Sequence, residues 1–293
     1  MPATVIIPAH NESASIRRLL DALAPGQSAE SPRDSPALEV LVVCNGCTDD
    51  TAAIARQYEP GVRVMEIPEA SKRHALDAGD AAAHGARRAY VDADVVISRM
   101  DILRLFDALS DTHMVTAPAR HLDLTGSSWL VRSYYEVWRR LPQVESGVFG
   151  RGVVVMSPAA HARVRRLPPV MSDDLAASEA FGPGERVVVT DATVSIQCPR
   201  TFPDLLRRRI RVATGNRQLD DLALRTNEAR TSGRTLVAIA VARPGIVPAV
   251  GVFAMVSFLA RLGAARRVRR GDYTTWLRDE SSRRPGGGPR VPA

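Results

Sequence analysis

Apolar residues along this chain fall into two alternating rhythms. Val5-Ile6-Ile7 is an unbroken run of the kind that a strand buried on both faces requires, and Ser13 to Leu23 then sets Ile16, Leu19, Leu20 and Leu23 at helical spacing. Residues 24 to 37, rich in Pro, Ser and Gly, predict a loop. A second strand follows at Val40-Leu41-Val42-Val43, and a second helix runs from Thr51 to Tyr58 with Thr48 or Asp49 as its cap. Val62 to Ile67 predicts a third strand, Lys72 to Gly85 a helix and Arg88 to Val91 a fourth strand. Strand alternating with helix in this way predicts the α/β class, with a doubly wound, mostly parallel sheet flanked by helices.

Beyond Asp101 the pattern loosens. A helix through Leu109, a strand at Met114-Val115-Thr116-Ala117, a long helical stretch from Trp129 to Leu141 and strands near Val153-Val154-Val155 and Val187-Val188-Val189 are expected. Trp129, Tyr134, Tyr135 and Trp138 recur at near-helical spacing, which favours packing over sugar stacking. From Leu236 to Leu262 the chain is nearly all apolar, broken by Arg243, Pro244, Gly245 and Pro248 and followed by Arg266, Arg267, Arg269 and Arg270. A membrane span wants about 20 apolar residues, and the uncharged run from Pro244 to Ala260 is shorter. An interfacial or re-entrant helix fits better, its arginines against anionic headgroups; packing on the domain or on a second subunit is the alternative. The chain thus divides into an α/β domain over 1–225, an apolar and basic helical appendage over 226–280 and a disordered tail over 281–293.

The net charge of +7 changes this picture little. Only Lys72 is a lysine among 39 basic residues, so the arginine excess follows composition, and with aromatics at 5% there is no aromatic-basic stripe for nucleic acid. An anionic membrane surface or a nucleoside diphosphate is the better partner. Three cysteines make no even disulfide framework, and Cys44-Asn45-Gly46-Cys47 is a single pair at the end of an apolar strand, where thiols are usually buried. The opening apolar stretch meets Pro8 and polar residues at once, so no signal peptide is expected and a cytosolic setting follows.

The candidate chemistry centres on acids. Asp92-Ala93-Asp94 follows a strand's carboxyl end, where ligands bind in doubly wound sheets, and such a pair can offer hard oxygens to a divalent ion. Asp173-Asp174, remote in sequence, is a source of general-base chemistry. The first strand leads into Pro8-Ala9-His10-Asn11-Glu12 rather than a glycine fingerprint, which removes the main support for a dinucleotide-dependent dehydrogenase. Asn45, Asp49 and Asp50 reach the same edge, although Asp49 and Asp50 serve equally well as helix caps. Gly147 to Gly152 allows close backbone approach to a ligand or simply makes a turn.

Taken in order, these stretches resemble family 2 glycosyltransferases of the glycosyltransferase A fold. Val5 to Glu12 is similar to the family's first strand and turn, Val42 to Thr51 to its second, and Ser71-Lys72-Arg73-His74-Ala75-Leu76-Asp77 to its Gly-Lys stretch. Asp92-Ala93-Asp94 resembles the Asp-x-Asp motif, and Ser172-Asp173-Asp174 stands where the family carries its acidic pair. The resemblance implies a nucleoside diphosphate sugar donor and a divalent cation, Mn2+ or Mg2+. Asp94 would be the principal metal contact, with Asp92 holding the ribose or the ion. Pro8, His10, Glu12 and Asn45 would border the base, while Lys72 and Asp173 would line the substrate site and Arg208 and Arg211 would reach the diphosphate. Asp174 would deprotonate an acceptor hydroxyl, and the anomeric configuration would invert.

Two departures refine this. The turn that often carries a uracil-contacting Asp reads Cys44-Asn45, leaving the donor base open, and Arg208-Arg209-Ile210-Arg211-Val212 lacks the Gln and Trp of the processive Gln-x-x-Arg-Trp motif. The expected activity is transfer of one sugar to a sugar or lipid-linked sugar acceptor in envelope or exopolysaccharide synthesis, at the inner membrane face. A sugar-1-phosphate nucleotidyltransferase is the rival enzyme, disfavoured by the lack of a Gly-rich phosphate loop after the first strand. A non-catalytic membrane-peripheral scaffold is the rival outside enzymology.

Overall fold

The computed structural model describes residues 2–23, 38–226 and 229–272. The loop expected over 24–37 and the tail expected over 281–293 lie outside the described residues. The first unit alternates as expected: β1 (Ala3–Ala9), α1 (Ile16–Leu23), β2 (Leu38–Asn45), α2 (Thr51–Arg56), β3 (Arg63–Ile67), α3 (Lys72–Ala82) and β4 (Arg87–Val91). Then come β5 (Val95–Ile97), α4 (Arg99–Asp107), β6 (Val115–Asp123), α5 (Trp129–Trp138), α6 (Pro142–Ser146), β7 (Val153–Met156), α7 (Pro158–Val164), α8 (Asp173–Glu179) and β8 (Arg186–Gln197). Helices α9 (Phe202–Asp221), α10 (Gly233–Ala242) and α11 (Val247–Arg269) complete the described chain.

The strands form one sheet in the order β3-β2-β1-β4-β7-β6-β8-β5. β1 is central and wholly buried, as its unbroken apolar run demands, and it pairs in parallel with β2 on one side and β4 on the other. The chain therefore reverses direction of travel at β1, and the carboxyl ends of β1 and β4 flank the crevice where such sheets bind ligands. β7 enters antiparallel to β4, and β5 antiparallel to β8.

The fourth strand ends at Val91 as expected, and the apolar residues after Asp92-Ala93-Asp94 form a separate short strand that was not expected. β4 stops at Val91, and β5 pairs with β8 at the far edge of the sheet. Four residues span at most about 14 Å, whereas four strand spacings on a flat sheet are about 19 Å. The sheet must curl back on itself, helped by the irregularity between Pro118 and Ala119 in β6. Asp92-Ala93-Asp94 is the short bridge across that curl.

Helix α1 starts at Ile16, the first of its apolar positions and three residues into the expected segment, because Asn11 sits at φ 52° and the Glu12 carbonyl accepts from the amides of Ser15 and Ile16, both at 2.9 Å. Ile16, Leu19, Leu20 and Leu23 are all buried on one face. A second core joins Val131, Tyr134 and Tyr135 of α5 to Leu205 of α9 and Phe253 and Val256 of α11. Tyr134 stacks on Phe253 at 5.0 Å, so this part of the aromatic set packs; Trp129, 68% exposed, does not. By length and composition, Pro244–Arg269 is long and apolar enough to cross a membrane, and only 17% of its most apolar window is buried.

Candidate active site

A cleft of about 1570 Å³ runs along the carboxyl edge of the sheet to α11. Pro8, His10, Glu12, Asn45, Lys72, Asp92, Asp94, Asp173, Asp174, Arg208 and Arg211 all line it. Residues separated by two hundred positions therefore share one solvent space.

The wall formed by β1 and β2 is closed by its own hydrogen bonds. His10 Nδ1 lies 2.6 Å from the Asn45 carbonyl, and Asn45 Nδ2 donates to the Ala9 carbonyl at 2.9 Å. Glu12 donates its amide to Thr51 Oγ1 at 2.7 Å and accepts from Ser15 Oγ at 2.6 Å. The N-cap of α2 is Asp50, without a side-chain cap bond, rather than Thr48 or Asp49; Asp49 instead ties the turn, accepting from the amides of Thr51 and Ser13 at 3.0 and 3.1 Å. Those bonds outweigh its burial and hold its carboxyl below the usual range. Beneath this wall Cys44 is buried, and its hydrogen bond to Cys47 pulls the Cys47 thiol down to about 6 while pushing Cys44 up.

Lys72 stands in the first turn of α3, behind the N-cap Ser71. Its Nζ donates to Asp92 Oδ1 at 3.0 Å and lies 3.4 Å from Asp173 Oδ2, tying the two acidic pairs together. Burial works against the ammonium, but Asp173, Asp92 and Asp174 outweigh it and raise the lysine well above its ordinary value. Asp92 is itself raised, by burial first and by Asp94 and Asp173 against the pull of Lys72. Lysine charge thus sits on Asp92, whereas Asp94 is exposed at the cleft. Two carboxylates of this kind fit a hard divalent ion that draws the rest of its shell from phosphate and water.

Asp174 is the second residue of α8, held from two sides: Gly150 donates its amide to Oδ2 and Leu175 its amide to Oδ1, each at 2.8 Å. The loop carrying Gly150 is anchored by Arg151, a buried guanidinium that donates to the carbonyls of Gly147, Pro118, Val144 and Glu145 at 2.8–3.3 Å. Burial lowers Arg151 to about 10. Gly152, at φ 66°, has no room for a side chain: a Cβ there would meet Val95 Cγ1 at 2.5 Å, and its carbonyl accepts from the Asp92 amide at 2.7 Å. The glycine-rich stretch is therefore the physical link between Asp92 and Asp174.

The opposite wall is built by α9 and α11. Arg211 is lowered by burial and by neighbouring Arg208, while Asp94, Asp92 and Asp174 act to raise it, which places its charge within reach of all three carboxylates. Arg120 lies 4.9 Å over the Trp138 ring and donates to the Phe149 carbonyl at 3.1 Å; burial and Arg151 lower it to about 9 against Asp174. Arg151 and Gln197 line the cleft but were not read as site residues from sequence, while Trp138, which also lines it, was read there for packing rather than sugar stacking. Arg151 carried a signal in its place between the glycines of 147–152.

Residues 4–166 match the family model described as glycosyl transferase family 2. Among curated proteins, the 4,4'-diaponeurosporenoate glycosyltransferase of Staphylococcus aureus is 36% identical over 104 residues, 33% of this chain and 25% of the relative. The match thus spans a quarter of the length of the curated relatives. A solved mannosyltransferase from Pyrobaculum calidifontis, in complex with GDP-Man and Mn2+, superposes with a TM-score of 0.58 at 22% identity, covering 92% of this chain and 79% of that one. Glucosyl-3-phosphoglycerate synthase from Mycobacterium tuberculosis, solved with phosphoglyceric acid, gives 0.51 at 18% identity over 77% of this chain and 81% of that one. Both share the fold.

Proposed function

Because the chain belongs to glycosyl transferase family 2, we propose that it transfers one sugar from a nucleoside diphosphate sugar to an acceptor hydroxyl with inversion. The observation that carries this is a single cleft in which Lys72 joins Asp92 to Asp173, with Asp94 on one side and Asp174 on the other. Pro8, His10, Glu12 and Asn45 form the base-binding wall, and Lys72, Arg208 and Arg211 supply positive charge for the diphosphate. The solved mannosyltransferase complex with GDP-Man and Mn2+ supports this class of donor.

Asp174, with its two oxygens fixed by backbone amides, takes the proton of the acceptor hydroxyl. The acceptor oxygen bonds to the anomeric carbon as that carbon's bond to the diphosphate breaks, and attack from the opposite face inverts the configuration. Arg211 and Lys72 hold charge where the diphosphate leaves. Asp94 and Asp92 would hold a divalent cation, Mn2+ or Mg2+, which neutralises charge on the leaving group when bound.

The acceptor is a lipid-linked sugar or a related envelope precursor, met at the cytoplasmic face of the membrane. The support is that Phe253, Ala254, Ser257 and Phe258 of the apolar helix line the same cleft as Asp174. In this reading 1–225 is the donor-binding domain and 226–280 its membrane-facing appendage.

The test is a thermal-shift panel of UDP, GDP, dTDP and CMP sugars with and without Mn2+, on wild type and Asp94→Ala. A ligand that binds the folded state raises the melting temperature. A Mn2+-dependent rise with one nucleotide, lost in Asp94→Ala, is expected. No rise with any donor on folded protein would reject the reading.

A further inference from the structure

Gln197 ends β8 on the cleft and is 5% exposed, yet neither its Nε2 nor its Oε1 finds a hydrogen-bond partner among the described residues. The other buried cleft amide behaves differently: Asn45 spends its Nδ2 on the Ala9 carbonyl. A buried amide with both ends unmet is costly, and native proteins rarely keep one without a reason. Its position gives the reason a direction. On one side β6 sets Asp123 in register with Gln197; on the other, β5 pairs Val95 with Ile196, the neighbour of Gln197, and Asp94 directly precedes Val95. Gln197 and Asp94 line the same cleft. The amide therefore shares the end of the cleft with the carboxylate proposed to hold the diphosphate end of the donor.

What satisfies an amide there follows from its chemistry. It needs an acceptor for Nε2 and a donor for Oε1. A diphosphate offers only acceptors and would leave Oε1 bare. A divalent cation would take Oε1 and leave Nε2 bare. An apolar chain answers neither. A sugar hydroxyl gives and accepts at once. We infer that Gln197 is a specificity residue that reads hydroxyl groups of the transferred sugar, an inference that rests on the nucleoside diphosphate sugar reading.

The experiment is calorimetric titration, in Mn2+, of the nucleoside diphosphate and its matching sugar conjugate into wild type and Gln197→Met. The readout is the ratio of the two dissociation constants. Loss of two neutral hydrogen bonds should weaken the sugar conjugate roughly 10- to 100-fold and leave the bare diphosphate unchanged, while the ligand-free melting temperature holds or rises because the unmet amide is gone. Gln197→Glu, which keeps the shape and the acceptor but lacks the donor, is read the same way should the first variant not fold. An unchanged ratio overturns the inference, as does an equal loss for both ligands, which would mean a diphosphate, metal or structural role. A wild type that binds neither ligand overturns the transferase reading and this inference with it.

Discussion

The two walls of the cleft are finished to different degrees. On the wall of β1 and β2, His10, Asn11, Asn45, Thr48 and Asp49 are joined by hydrogen bonds within the chain. On the far wall of α9 and α11, Asn216 Oδ1 is buried without a partner among the described residues, and Phe258 is exposed. A wall whose polar groups are met internally is prebuilt for a ligand of fixed shape. A wall with unmet groups and bare apolar surface is completed by what binds there. The donor side is thus organised in advance, and the acceptor side waits for its occupant.

The sharpest way to break this comparison is at its midpoint. Asp174→Asn keeps the size of the side chain but removes the base. Turnover should fall about 10²- to 10⁴-fold, while the thermal shift given by the donor stays, because the prebuilt wall is untouched. Loss of donor binding together with turnover would show that the walls are one unit.

How each wall reads in sequence follows from the same contrast. The β1 and β2 wall uses local signals, an apolar run and then capping residues, and Val5 to Glu12 and Val42 to Thr51 were legible for that reason. Asp92 and Asp94 were legible as a motif, as was the end of β4 at Val91, yet β5 was not, since it takes its partner from β8 about a hundred residues on. Helix α9 escaped because Arg207, Arg208, Arg209 and Arg211 mask its periodicity: its buried positions are Asp204, Leu205, Thr214, Gly215 and Leu219. A lone Gln at a strand end carries no local signal at all. Only the absence of partners in three dimensions marks it.

Two variants test the far wall at intermediate size. A Cβ on Gly215 would meet Ser172 Oγ at 2.1 Å, so α9 lies against the start of α8 only because this residue is Gly. Gly215→Ala should cost about 1–3 kcal/mol by overpacking, read as a lower melting temperature, and should slow turnover by shifting Asp174. Phe258, 61% exposed, should enter lipid. Phe258→Asp should lower binding to vesicles of anionic phospholipid by roughly 10-fold or more, since burying such a side chain is worth about 1.5–3 kcal/mol. Donor-induced thermal shifts should not change. Equal vesicle binding by wild type and variant would assign the face to a protein partner instead.

The smallest effect probes how closed the donor wall is. Cys47 is half-buried and drawn down to about 6 by the hydrogen bond from Cys44, whereas Cys44 and Cys198 are buried. The thiolate is the reactive form, so alkylation of Cys47 by iodoacetamide should rise with pH through a midpoint near 6 and level off above it. The sign is set by the direction of the shift: a thiol of ordinary acidity would still be gaining reactivity at pH 8. Cys44 should react only on unfolding, because its thiol is held up by burial and by donating to Cys47. Mass spectrometry of the alkylated peptides separates the three cysteines. Rapid labelling of Cys44 in folded protein would mean that the β1 and β2 wall opens, and that the contrast between a prebuilt side and a waiting side is one of degree.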